Sequence, residues 1–120
     1  MVEQISQAQR YATYVMQRLP EPEKGKVHTV QSGDNLWNIA RKELNKPNAK
    51  KLEINNYMLL IAKLNNLDTI EKMNNLKISQ KIYLPKSSDV ILNPEDNVKT
   101  LTSAEDSIDK LKKIILEDSL

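Results

Sequence analysis

Apolar residues near both ends of the chain recur at spacings of three and four. One stripe consists of Ile5, Ala8, Ala12, Val15 and Leu19, and the other of Leu101, Ala104, Ile108, Leu111 and Ile115. This rhythm keeps the side chains on one helical face, so it predicts amphipathic helices over residues 2–19 and after residue 102. Isolated helices of this length are marginal in water, so each stripe must pack on the other stripe, on the centre or on another protein. Off the first stripe, Tyr11 and Tyr14 are expected to be interface anchors or exposed side chains.

The centre of the chain predicts the order strand, helix, helix, strand. Residues 27–31 and 80–84 are short and β-prone, and apolar positions at helical spacing lie between them from residue 36 to 45 and from 49 to 65. A further helical turn is an option within residues 67–73. Asp34 is the expected N-cap of the first helix and Asn48 a candidate cap of the second. The expected core consists of Val30, Leu36, Ile39, Ile82 and Leu84.

Proline and polar residues divide the chain into three predicted parts. Residues 1–26 would form the N-terminal helix and a linker, 27–86 the folded centre, and 87–120 a second linker and the C-terminal helix. Their net charges are +1, +5 and −4. The basic centre and acidic tail favour two solvated surfaces over an electrostatic pair, because exposed ion pairs contribute little.

Composition narrows the function more than it narrows the fold. The chain has no cysteine and one histidine, His28, and no nucleophile with a matching base. We therefore expect no catalytic residue, no metal site and no cofactor, and hence not an enzyme. A net charge of +2 argues against a nucleic-acid partner, and no apolar run is long enough for a membrane span. The N-terminal segment interleaves polar and apolar residues, unlike a signal peptide, so a cytoplasmic protein or a cytoplasmically assembled particle is expected.

Two segments of the centre resemble the LysM domain family. Residues 28–40, HTVQSGDNLWNIA, resemble the family's opening, with His28 in place of an aromatic residue and Asn35 in place of threonine. Residues 76–85, LKISQKIYLP, resemble its closing strand, with Ile78 replacing proline and Ser79 replacing glycine. Residues 61–67 match the end of the family's second helix more weakly, and the loop at 67–79 is longer than usual.

The resemblance implies an α+β fold, a βααβ unit with a two-stranded antiparallel sheet and both helices on one face. It also implies a shallow groove for N-acetylglucosamine polymers such as peptidoglycan or chitin. Carried over by position, one wall would use Gly33, Asp34, Asn35 and Leu36, and the other Ile78. The same residues also have purely structural interpretations, as a turn, a helix cap and core. Trp37 is expected to be half-buried or an exposed anchor.

Two functions remain open at this point. LysM folds also occur in the baseplates of contractile phage tails and related injection machines. The N-terminal composition, the two terminal stripes and the altered loop favour such a structural subunit, whose stripes would dock neighbouring protein subunits. The alternative is a peptidoglycan-binding module, which the dense 32–37 motif and the basic centre favour.

Overall fold

The structure, a computed structural model, describes residues 2–19, 21–45, 47–48, 50–85 and 104–117. Side chains of residues 2–6, 104–107 and 117 lie outside the description. In chain order the elements are α1 (Val2–Arg18), β1 (Lys24–Thr29), α2 (Leu36–Leu44), α3 (Lys51–Leu64), α4 (Ile70–Met73), β2 (Lys81–Pro85) and α5 (Ala104–Glu117). The predicted α+β class is confirmed, with five helices and one two-stranded sheet among the described residues.

The two strands pair antiparallel, as expected. Thr29 lies opposite Lys81 and Val27 opposite Tyr83, with an irregularity in the register before Val27. The predicted bounds of β1, residues 27–31, are wrong, because the strand starts at Lys24, inside the expected linker. Lys24 pairs with Pro85, so the extension follows from backbone pairing with the far end of β2 and needs no β-prone side chain.

The predicted helices of the centre are present, but their N-cap residues differ from the prediction. Asn35, not Asp34, is the N-cap of α2, and its side-chain oxygen accepts the Asn38 amide at 2.8 Å. The N-cap of α3 is Lys50 rather than Asn48, and its amide donates to the Glu53 carboxylate at 3.2 Å. The optional turn in the following loop is α4, which Thr69 caps.

All five residues of the predicted core are buried. The long helix α3 supplies the centre of this core, with an unbroken buried run from Ile54 to Ala62. Trp37 is more buried than expected, at 3% exposed. α5 packs against α2, and the Lys112 ammonium of α5 lies 4.9 Å from the centre of the Trp37 ring. α5 therefore covers a residue that the sequence left half-exposed.

Both terminal helices pack on each other and on α3. The described members of their stripes all belong to the one hydrophobic core: Ala8, Ala12, Val15, Leu19, Ile108, Leu111 and Ile115. Of the remaining stripe positions, Leu101 lies outside the described residues, as do the side chains of Ile5 and Ala104. The sequence left three possible packing partners for these stripes. In the structure the stripes pack on each other and on the centre of the same chain.

Tyr11 corrects both expectations for its position, since it is buried inside the chain and is 5% exposed. The reason is that α1 contacts both α3 and α5, which makes its buried face wider than the stripe. The Asn55 amide donates to the Tyr11 hydroxyl oxygen at 2.8 Å. Burial raises the pKa of Tyr11, and the contact with Asn55 opposes that shift without reversing it.

Polar contacts hold the terminal helices to the centre. The Lys63 ammonium of α3 donates to the carbonyl oxygens of Met16 and Leu19, at 2.9 and 2.8 Å, where α1 ends. Lys51 pairs with Asp109 of α5 at 2.7 Å. Because these groups join elements far apart in the chain, the terminal helices form part of the folded unit.

Candidate functional site

Two tight turns lie side by side at one end of the sheet. β1 ends at Thr29 and its partner Lys81 begins β2, so residues 31–34 and 77–80 leave the sheet at the same end. Two hydrogen bonds continue the pairing between them, from the Val30 amide to the Gln80 carbonyl and from the Ser79 amide to the Val30 carbonyl, both at 2.8 Å. The two turns therefore lie next to each other, and backbone hydrogen bonds attach them to the sheet.

The 31–34 turn closes with a hydrogen bond from the Asp34 amide to the Gln31 carbonyl at 3.0 Å. Its third residue, Gly33, has φ 90°, a backbone region that costs other residues energy. Ser32 and Gly33 are exposed. The expected role of glycine in this turn is confirmed, and its backbone is open to approach because there is no Cβ.

The Asp34 carboxylate holds the turn from inside. Its Oδ2 atom accepts the Gln31 amide at 2.8 Å and lies 2.9 Å from Nε2 of His28. Burial alone would raise the pKa of Asp34, but the Gln31 amide, His28 and the charge of Lys42 together hold this pKa below its ordinary value. His28 lies in β1, and folding brings the carboxylate of Asp34 back over that strand.

The 77–80 turn has the same form with different residues. The Gln80 amide donates to the Lys77 carbonyl at 2.9 Å, and the Lys77 amide donates to the Gln80 side chain at 2.9 Å. Its third residue, Ser79, has φ 76°, the left-handed region that favours glycine. Ile78 is 59% exposed, the largest exposed fraction among the exposed large hydrophobic residues described. This turn thus presents an apolar side chain next to the open backbone of the other.

The five predicted groove positions have different environments. Gly33 and Ile78 are exposed and Asp34 is partly exposed, so these three are accessible to a ligand. Asn35 is 4% exposed and caps α2, while Leu36 is completely buried in the core. The side chain of Leu36 therefore offers no surface to a ligand. Its role in binding stays a prediction that no observed contact supports.

Sequence reasoning missed two residues of this site. Ser79 adopts the conformation of the glycine it replaces in the family pattern, and His28 contacts the carboxylate of Asp34. The departures from the family pattern at both positions were the available signal. That signal marks the positions as unusual, but it does not say which atoms they contact.

A cleft of about 370 Å³ lies elsewhere, between α1 and the end of α3. Its walls include Thr13, Lys63 and Asp68, and these polar groups already bind within the chain: Thr13 to Gln9, Lys63 to the end of α1, and Asp68 to Lys72. Because these three groups are already used within the chain, we place the candidate site at the two turns.

Two further findings concern the described residues alone. They contain no group of three His, Cys, Asp or Glu residues placed to hold a metal ion. Within the same part of the chain, no helix combines the length and the apolar character that crossing a membrane requires.

The βααβ core with two adjoining turns defines a small domain of a known class. Residues 28–85 match the family model of the LysM domain, so this part of the chain is a LysM domain. Comparison with curated proteins and with solved structures gives no match. LysM domains are generally binding modules without catalytic activity, and the family suggests peptidoglycan or another polymer of N-acetylglucosamine as the ligand.

Proposed function

We propose that this chain binds N-acetylglucosamine polymers, with peptidoglycan as the ligand, in the space between the 31–34 and 77–80 turns. The observation that carries the proposal is that the two turns leave the same end of the sheet and expose the Gly33 backbone and the Ile78 side chain, inside a LysM domain. Both turns are fixed to the sheet through Val30. The ligand would thus meet walls that need little ordering on binding.

The chemistry of an acetamido sugar suits this pair of walls. Its N–H and C=O groups need hydrogen-bond partners, and its methyl group needs an apolar contact. A peptide backbone without a Cβ at Gly33 allows close approach for the first, and Ile78 supplies the second. Lys77 and Lys81 are exposed at the same end of the sheet. Their positive charge favours anionic peptidoglycan over a neutral polymer.

The baseplate function proposed from the sequence loses one of its supports. It depended on terminal stripes that need a neighbouring subunit, and the described stripe residues are covered within the chain itself. We therefore rank glycan binding first. A role in a contractile injection assembly, like the cytoplasmic location, stays a prediction.

Retention on insoluble peptidoglycan, followed by calorimetric titration with soluble N-acetylglucosamine oligomers, tests the proposal. The variant Ile78→Ser removes the apolar side chain of the second turn. Its matched control is Val27→Ser, which truncates an exposed residue of β1 that pairs with Tyr83 of β2. We expect Ile78→Ser to weaken binding about fivefold, the loss of about 1 kcal/mol of apolar contact. Val27→Ser should bind like the wild type.

Leu36 is unsuited to this test, because truncating a completely buried leucine costs about 2–5 kcal/mol of stability whatever the ligand. Wild-type protein that shows no saturable retention on peptidoglycan and no heat with the oligomers would refute the proposal. Equal weakening by both serine variants would move the site from the turns to the sheet face.

A further inference from the structure

The contact between His28 and Asp34 links the sheet to the first wall of the groove. The distance from His28 Nε2 to Asp34 Oδ2 is 2.9 Å, and the same oxygen accepts the Gln31 amide at 2.8 Å. The Asp34 amide in turn donates to the Gln31 carbonyl. One carboxylate therefore closes the 31–34 turn and attaches it to a residue outside the turn.

His28 is well placed to act as the fixed end of this link. It lies in β1 opposite Ile82, which is buried, so backbone pairing holds its position. The side chains of His28 and Asp34 are 31% and 14% exposed. Partial shielding reduces the competition from water, which makes this hydrogen bond stronger than one on an open surface.

The turn needs such a link because it contains a residue with little conformational restraint. Gly33 has no side chain to limit its backbone, and it is exposed together with Ser32. Without the contact to His28, the carboxylate of Asp34 would keep the Gln31 amide of its own turn as a hydrogen-bond partner. A turn that samples more conformations binds more weakly, because binding must then order it.

We propose that His28 is a positioning residue: through Asp34, it holds the 31–34 turn in the shape that binds the sugar. This inference rests on the proposed function. It assigns a role to the position where the family usually has an aromatic residue.

Two substitutions separate hydrogen bonding from packing. His28→Phe keeps a ring of similar size and loses the nitrogen, whereas His28→Gln keeps an N–H donor at a similar reach. We expect His28→Phe to bind N-acetylglucosamine oligomers about fivefold more weakly, as for the loss of one hydrogen bond, and His28→Gln to bind within about twofold of the wild type. Thr29→Ala, on the neighbouring exposed strand position, is the control and should bind normally.

Thermal unfolding of the same variants shows whether they fold, and amide hydrogen exchange of residues 32–34 reports the turn directly. We expect faster exchange there in His28→Phe, with a melting temperature close to the wild type. If the wild type binds and His28→Phe binds equally well, His28 is not a positioning residue and glycan binding stands. If the wild type does not bind, both proposals fail. A fall in melting temperature with unchanged affinity would make the role of His28 purely structural.

Discussion

The helical side of the molecule and the sheet end differ in how their polar and apolar groups are used. On the helical side, α1, α3 and α5 bury their stripes in one core, and even Tyr11 is covered. At the sheet end, the 31–34 and 77–80 turns expose Gly33 and Ile78, and Ser79 has a left-handed backbone. The terminal helices therefore contribute stability, and the exposed groups on which the proposed recognition depends lie at the turns.

The strongest test of this division is a cavity in the helical side. Leu111 of α5 is completely buried, so Leu111→Ala should lower the free energy of unfolding by about 3 kcal/mol. The control Lys113→Ala, at an exposed position of the same helix, should change it by less than about 0.5 kcal/mol. Urea unfolding curves measure both. If Leu111→Ala and the control have the same free energy of unfolding, α5 does not contribute to the core.

Lys63 tests whether α1 is fixed to the centre by more than apolar contact. Lys63→Met keeps the stem and removes the ammonium that binds the carbonyls of Met16 and Leu19, so we expect a loss of about 1–2 kcal/mol. Its ion pair with Glu21, at 3.3 Å, joins a residue whose side chain is 87% exposed, so Glu21→Gln should cost less than about 0.5 kcal/mol. Equal losses in urea unfolding would assign the effect to the ion pair instead.

The sequence predicted the existence of both regions, but not how they are joined. The spacing of apolar residues identified α1 and α5, yet small stripe residues such as Ala8 and Ala12 fit against any apolar partner. The choice between intramolecular and intermolecular packing depends on the shapes of the surfaces that meet, which periodicity does not encode. Pairing with β2 also decided where β1 begins.

At the site, the sequence predicted the glycine turn. The structure exposes Ile78, the residue expected on the second wall, and its role in binding stays a prediction. The sequence placed the helix cap one residue early, because Asp34 and Asn35 are equally good N-caps and only folding shows which one turns back to His28. The conformation of Ser79 was also hidden, since serine has no preference for positive φ.

Ser79 provides a prediction of opposite sign at the sheet end. Because Ser79 has φ 76°, Ser79→Gly should relieve backbone strain and raise the free energy of unfolding by about 1 kcal/mol. The equivalent third position of the other turn is already a glycine, Gly33. The control Ser32→Gly, at an exposed turn residue without a positive φ, should not stabilise the chain. If Ser79→Gly destabilises in urea unfolding, the serine side chain contributes more than its backbone costs.

The smallest expected effect is an acid sensitivity confined to the 31–34 turn. The pKa of Asp34 is lower in the folded chain than its ordinary value of about 3.9, so the unfolded chain binds more protons in that range. Its contribution is therefore fully present above about pH 4 and is lost as the pH falls through the lower folded pKa. We expect the contribution to be under about 1 kcal/mol, as for a partly exposed ion pair.

Asp34→Asn should be less stable than the wild type at pH 6, and the difference should shrink below pH 4. Ser32→Ala, which removes no titratable group, should keep a constant difference. A stability difference between Asp34→Asn and the wild type that stays constant into acid would mean that the carboxylate acts through its shape alone.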